Sequence, residues 1–234
     1  MKPISHRRAF TLLEIVVILG IIALFLALLV PFAVRAREGG RSAACVKNMS
    51  VIGKAISSYT ADNDGRLPGP LTMDQYPVDA AGTRDGQLLK YITPQLTSLG
   101  GARAAFTYPG WQKAQRATDS AVFLVNVEAV APFEQPIWGD MAVKGKGPLK
   151  IEDVALVKFQ QGDKEVKAKP SEVWALTEAD QMLARNLGVT KADAWMLRLP
   201  EKAVHVSHRN ALFFDWHVDR LTLTNSSIAP PTAD

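Results

Sequence analysis

The sequence predicts an α+β fold, with one long N-terminal helix packed on an antiparallel β-sheet domain. Two patterns support this prediction. Residues 15–34 form an uncharged apolar run that passes into an amphipathic stretch ending near residue 62. Short segments rich in β-branched and aromatic residues follow, separated by glycine, proline and aspartate. A helix followed by a run of strands is typical of α+β architecture.

The apolar run has the length of a membrane-spanning helix. Its twenty residues, at about 1.5 Å each, cover about 30 Å, which is one hydrocarbon core. The apolar part of a secretory signal peptide is only about 7–15 residues long and precedes an A-x-A-like site, and neither property is found here. Basic residues stand on both sides of the run, so the positive-inside rule leaves the orientation open. These residues are Lys2, Arg7 and Arg8 before it and Arg35, Arg37 and Arg41 after it.

Residues 35–62 are predicted to continue the same helix in amphipathic form. Apolar side chains recur at helical spacing, at Cys45, Met49, Ile52, Ile56 and Tyr59. Lys47 and Lys54 fall on the opposite side at 100° per residue. We therefore expect one helix from Phe10 to near Ala61, loosened at Gly39-Gly40 and ended by Gly65.

The globular part is expected to cover residues 63–225, with a disordered tail over 226–234. Strands are predicted at 104–108, 121–127, 154–160, 172–176, 203–207, 211–215 and 217–223. A short helix is expected around 87–92 in the loop-rich stretch 71–101, and another from the cap Thr177 to Leu187.

Composition and motifs argue against several functions. The net charge of +4 is small and the basic residues are dispersed, so no nucleic-acid partner is expected. With Cys45 as its one cysteine, the chain cannot form an intramolecular disulfide. No nucleophile elbow, phosphate loop or dinucleotide fingerprint is present, and we expect no enzymatic activity.

Two groups of residues could bind a metal ion. His205, His208, Asp215 and His217 form a histidine and carboxylate cluster. Asp215 and His217 would share a strand face, and a turn near Arg209-Asn210 would bring His208 close. A fourth ligand and a recognisable metal-binding spacing are both missing, so a surface hairpin is the favoured interpretation. Asp62 and Asp64 lack the later carboxylate of a calcium loop and are interpreted as helix termination.

The N-terminus resembles a prepilin cleavage site. It reads Arg7-Arg8-Ala9-Phe10-Thr11-Leu12-Leu13-Glu14 before the apolar run. This arrangement of basic leader, small residue, phenylalanine and single glutamate is similar to that of type IV pilin-like proteins and type II secretion pseudopilins. The resemblance implies a leader over residues 1–9, a filament-core helix over 10–34, and no cofactor. Some type II pseudopilins bind calcium in a C-terminal loop. Residues 200–234 contain no dense acidic loop, and calcium is kept only as the alternative to having no cofactor.

The resemblance also assigns roles and partners. Prepilin peptidase would cut between Ala9 and Phe10, Phe10 would be N-methylated, and its ammonium would meet Glu14 of a neighbouring subunit. Other subunits and an inner-membrane assembly platform would be the further partners. The leader would lie in the cytoplasm and the C-terminal domain in the periplasm, joined by a single inner-membrane span. Gly20 and Pro31 would mark where the helix extends on assembly, or else a tolerated membrane kink.

Residues 208–218 resemble the C-terminal signature of a pseudopilin-like subgroup. That signature has a histidine, an apolar strand and then Asp-Gly-His-Val. Trp216 stands here in place of the glycine, which puts the tight turn in doubt.

Three functions are therefore considered. The first is a structural pilin or pseudopilin subunit. The second is a membrane-anchored, exported domain that binds a ligand or metal, or catalyses a reaction, and uses the helix as a tether. The third is a ligand-binding or adhesive minor pilin whose middle region recognises a surface or a sugar.

Overall fold

The computed structural model describes residues 12–77, 84–101, 105–106, 120–161, 164–190, 192–205 and 207–222. The predicted α+β class is confirmed, because a long apolar helix is followed by a five-stranded antiparallel sheet. The chain divides into two compact units, residues 1–40 and 41–234. The leader over residues 1–9 and the tail over 226–234 lie outside the described residues.

Helix α1 (Leu12–Asp62) is 51 residues long, close to the predicted length. Its helical assignment continues without a break through Pro31 and through Gly39-Gly40. The helix ends as predicted. Gly65 has a φ of 78°, in the left-handed region that glycine favours, and its N–H donates to the carbonyl of Thr60 at 2.8 Å.

The five-stranded sheet has the order β1-β2-β7-β8-β9, with every neighbouring pair antiparallel. Its strands are β1 (Asp74–Gln75), β2 (Phe123–Val125), β7 (Trp174–Glu178), β8 (His208–Phe213) and β9 (Val218–Thr222). All five residues of the central strand β7 are buried. Polar residues at the end of this strand are therefore enclosed by protein.

The described part of the chain also contains two short hairpins and further α-helices. The hairpins pair β3 (Ala129–Val130) with β4 (Gln135–Pro136), and β5 (Lys158–Gln161) with β6 (Lys164–Lys167). The helices are α2 (Leu88–Ser98), α3 (Ile151–Val154) and α4 (Gln181–Asn186). Short 3-10 turns cover Pro170–Glu172 and Met196–Arg198.

The main core forms between the C-terminal part of α1 and the sheet. Met49, Ile52 and Ile56 are fully buried and belong to the same apolar cluster as Leu176 and Leu212. A Cβ built on Gly53 would lie 2.8 Å from Leu212 Cδ1, so helix and strand approach closely where glycine occupies the helix. The predicted amphipathic face is thus the face that packs.

Several predicted elements were wrong in position or type. The helix expected from Thr177 begins later, because Thr177 and Glu178 complete β7 and Asp180 caps α4. The strand expected over 154–160 opens with the end of α3, and β5 begins only at Lys158. Residues 203–205 and 207 form no strand, and neither do residues 105–106 of the strand expected at 104–108. β8 begins at His208, three residues before the predicted strand at 211–215.

Candidate functional site

The N-terminal part of α1 exposes a continuous apolar surface. Every side chain from residue 12 to residue 37 is exposed, and Leu12 and Phe32 are 82% and 74% exposed. The helix is long and apolar enough to cross a membrane, with a mean hydropathy of 3.2 over its most apolar window. A signal sequence near an N-terminus can meet the same criteria of length and hydropathy. An apolar surface of this length is stable only when lipid or protein covers it.

The predicted assembly residues fall on or just before this segment. Glu14 is exposed in the first turn of α1, where a carboxylate interacts favourably with the helix dipole. Gly20 and Pro31 lie within the helix, and a Cβ on Gly20 would meet nothing within 4 Å. Ala9 and Phe10, the predicted cleavage and methylation residues, lie outside the described residues.

A second candidate site is a buried polar cluster around Glu178, at the end of β7. Glu178 is only 1% exposed, and its Oε1 lies 3.0 Å from Nε2 of His205. Asn210 of β8 donates its backbone N–H to Glu178 Oε2 at 2.9 Å and its side-chain N–H to Oε1 at 3.1 Å. These hydrogen bonds compensate the desolvation of the carboxylate.

Helix α1 contributes Ser42 and Cys45 to this cluster. The Sγ of Cys45, a carboxylate oxygen of Glu178 and a ring nitrogen of His205 all lie within 4.8 Å of one another. Ser42 Oγ lies 3.3 Å from His208 Nε2 and 3.4 Å from Asn210 Oδ1. Among the described residues, this triad is the one group of three whose arrangement could hold a metal ion.

An ion pair adjoins the cluster. The guanidinium of Arg209 contacts both carboxylate oxygens of Asp180, through Nε to Oδ2 and through Nη2 to Oδ1 at 3.0 Å. Both residues are at most 1% exposed. Asp180 Oδ1 also accepts the backbone N–H of Leu183 at 2.9 Å and so caps α4. This carboxylate therefore has a structural role.

The predicted cluster of His205, His208, Asp215 and His217 does not assemble as expected. The rings of His205 and His208 stack at 5.4 Å. Asp215 Oδ1 contacts His217 Nδ1 in the turn that follows β8. Because His208 begins this extended strand and the turn follows its end, the two pairs lie at opposite ends of β8, which is about 17 Å long.

The proposed turn at Arg209-Asn210 was wrong, because both residues lie inside β8 and pair with β9. The hairpin turn follows Phe213 instead. Trp216 takes a φ of 70° there, in the left-handed region where the subgroup signature has glycine. The tight turn therefore forms despite the tryptophan, and Asp215 and His217 flank it instead of sharing a strand face.

The two aspartates near the end of α1 take part in helix termination. Asp62 is the last residue of α1, and its Oδ2 accepts a hydrogen bond from Gln95 Nε2 at 3.3 Å. Asp64 has a φ of 53°, directly before the left-handed Gly65. This arrangement agrees with the interpretation made from the sequence.

Tyr76 is a described titratable group with a raised pKa. Burial, and then the nearby charge of Asp74, raise the pKa of Tyr76 to about 12. The guanidinium of Arg84 lies 3.9 Å from the centre of the Tyr76 ring and opposes this shift. Tyr76 belongs to a second apolar cluster with Leu124 and Leu183, which indicates a packing role.

No protein-family model, curated protein or solved structure gives a significant match to this chain.

Sequence reasoning missed most of the buried cluster. Cys45 was interpreted only as an apolar residue of the helix face, Glu178 was placed in the first turn of a helix, and Asn210 in a turn. One signal could have helped, because the pattern from Trp174 onward continues as a strand through Thr177, a residue with high β-propensity.

Proposed function

We propose that this chain is a structural pilin or pseudopilin subunit that assembles through its N-terminal helix. The observation that carries the proposal is helix α1 itself. Its first part exposes only apolar surface after Glu14, whereas its last part is built into the core of a sheet domain. Such a helix connects a folded domain to an apolar segment that needs a membrane or identical neighbours to cover it.

In this proposal the precursor crosses the inner membrane once. The leader lies in the cytoplasm, prepilin peptidase cuts between Ala9 and Phe10, and the sheet domain is periplasmic. The assembly platform then transfers the N-methylated chain into a type II secretion pseudopilus or a type IV pilus-like filament. The chain itself catalyses no reaction and binds no nucleic acid.

Glu14 places a carboxylate at the start of the apolar segment, and assembly would provide an opposite charge for it. A carboxylate at the centre of a membrane helix costs about 2.5–3.5 kcal/mol on insertion scales, and less near an end. The new ammonium of Phe10 on a neighbouring subunit would compensate that charge. Pairing of the two would set the register between adjacent helices.

The first test is mass spectrometry of the mature chain from cells that express the peptidase. We expect a mass without residues 1–9 and with one methyl group on Phe10. An intact leader under these conditions contradicts the proposal.

The second test compares two substitutions of the same kind on α1. Glu14→Gln should abolish or strongly reduce filament formation, as measured by electron microscopy of sheared filaments. Glu38→Gln lies on the same helix beyond the apolar segment and should leave assembly intact. Normal filaments from Glu14→Gln would refute the register role.

The main alternative is an exported domain that uses the helix only as a tether. The two functions differ in what the apolar segment must do. Replacing residues 12–34 by an unrelated membrane helix would preserve the function of a tethered domain, but it would abolish assembly of a subunit.

A further inference from the structure

We propose that Cys45, Glu178 and His205 form a binding site for a zinc-like transition-metal ion, with three protein ligands and water in the fourth position, as in open zinc sites. The site lies inside residues 41–234 and does not depend on the proposed role in filaments. It differs from the histidine cluster suggested by the sequence, with which it shares only His205.

The geometry of the three ligand atoms suits such an ion. Zinc bonds of about 2.0–2.3 Å in a tetrahedral arrangement place ligand atoms about 3.3–3.7 Å apart. The thiol, carboxylate and imidazole atoms already lie within 4.8 Å of one another, and His205 Nε2 lies 3.0 Å from Glu178 Oε1. Side-chain adjustments of about 1 Å bring the three atoms to the separations that a tetrahedral ion requires.

The chemistry of the ligands selects the class of metal. Sulfur and imidazole nitrogen together favour zinc and related transition metals, whereas calcium and magnesium take oxygen ligands. A thiolate from Cys45 and the carboxylate of Glu178 supply two negative charges, which balance a divalent cation. All three residues are at most 2% exposed, so a site with no net charge is the form that burial favours.

The surroundings hold the ligands as a metal site requires. Asn210 fixes the carboxylate through one hydrogen bond to each oxygen. Outer hydrogen bonds of this kind orient the ligands in known sites and raise metal affinity about 10–100-fold. Three separate segments supply the ligands: helix α1, the end of β7 and the chain before β8. Binding of the ion releases the thiol proton of Cys45 to solvent and joins α1 to the sheet.

The test uses the full-length chain, purified in detergent without metal and titrated with Co²⁺ as a spectroscopic substitute for Zn²⁺. We expect one Co²⁺ per chain, with a thiolate-to-cobalt charge-transfer band in the near ultraviolet. Because Cys45 is the chain's one cysteine, this band in the native chain identifies the ligand without any substitution. Addition of Zn²⁺ should remove the band stoichiometrically. Absence of the band at saturating Co²⁺ overturns the proposal.

Variants then locate the site. Cys45→Ser should lose the band and bind Zn²⁺ at least about 10–100-fold more weakly, since loss of a ligand is at least as severe as loss of an outer hydrogen bond. Glu178→Gln should weaken Zn²⁺ binding similarly. His217→Ala removes an imidazole in the hairpin turn and is the matched control, which should bind as the native chain does. Zn²⁺ binding that survives Cys45→Ser but is lost in His217→Ala would place the metal on the surface and refute the buried site.

Discussion

The buried ion pair between Asp180 and Arg209 allows a quantitative prediction about stability. Arg209→Met keeps most of the side-chain volume but removes the guanidinium. The Asp180 carboxylate then stays buried, with the backbone N–H of Leu183 in α4 as a remaining hydrogen-bond donor. Breaking one side of a buried pair typically costs about 3–5 kcal/mol. Since proteins of this kind have a total stability of about 5–15 kcal/mol, this loss is large.

The loss of stability expected from an uncompensated buried charge can be separated from the loss caused by altered packing with a double variant. In the double variant Arg209→Met with Asp180→Asn, no charge is left uncompensated, and the asparagine can still cap α4. The double variant should therefore be more stable than Arg209→Met alone by at least about 1 kcal/mol. Arg220→Met, on the exposed face of the neighbouring strand β9, is the matched control and should change stability by less than about 0.5 kcal/mol.

The assay is urea unfolding of the full-length chain in detergent, followed by the fluorescence of the buried Trp138 and Trp174. Midpoints and slopes of the four proteins give the free energies of unfolding. A loss below about 1 kcal/mol in Arg209→Met, or a double variant no more stable than that single variant, would refute the reasoning from an uncompensated charge.

Three further predictions concern packing, backbone strain and pH. Gly53→Val should destabilise the fold by about 1–3 kcal/mol, because its Cβ would meet Leu212 Cδ1 at 2.8 Å. A Cβ on Gly39 of the same helix would meet nothing within 4 Å, so Gly39→Ala should not destabilise the fold. Equal losses in the free energy of unfolding for the two variants would contradict the close approach of Gly53 to Leu212. Trp216 has a φ of 70°, which glycine adopts more easily than alanine. Trp216→Gly should therefore have a free energy of unfolding about 1 kcal/mol higher than that of Trp216→Ala, and the reverse order would exclude left-handed strain. The stability that comes from the protonated phenol of Tyr76 is complete below pH 10 and is lost as the pH rises through about 12, because folding raises its pKa. As the pH rises from 10 to about 12, the Tyr76→Phe variant should therefore lose less stability than the native chain. Identical dependence of the free energy of unfolding on pH in the two proteins would exclude the raised pKa of Tyr76.

Most of α1 could be predicted because its information is local. The uncharged run predicts an apolar environment for residues 15–34. The apolar residues at helical spacing predict which face of the helix is buried. Hairpin β8–β9 was only partly predicted. Its strands were found, but the turn was placed at Arg209-Asn210, because turn-forming residues are also tolerated inside a buried strand when their polar groups are bonded. Arg209 reaches Asp180, and Asn210 reaches Glu178.

The sequence by itself determined that an apolar helix precedes a strand-rich domain, and that one face of the helix enters the core. These properties follow from side-chain polarity at fixed spacing along one element. Only the tertiary structure placed Cys45, Glu178 and His205 together, because their meeting depends on how α1 lies on the sheet and on which strands are neighbours. It also showed that Trp216 forms a tight turn at the position where the subgroup signature has glycine, since contacts made elsewhere in the fold can offset the local cost of a left-handed residue.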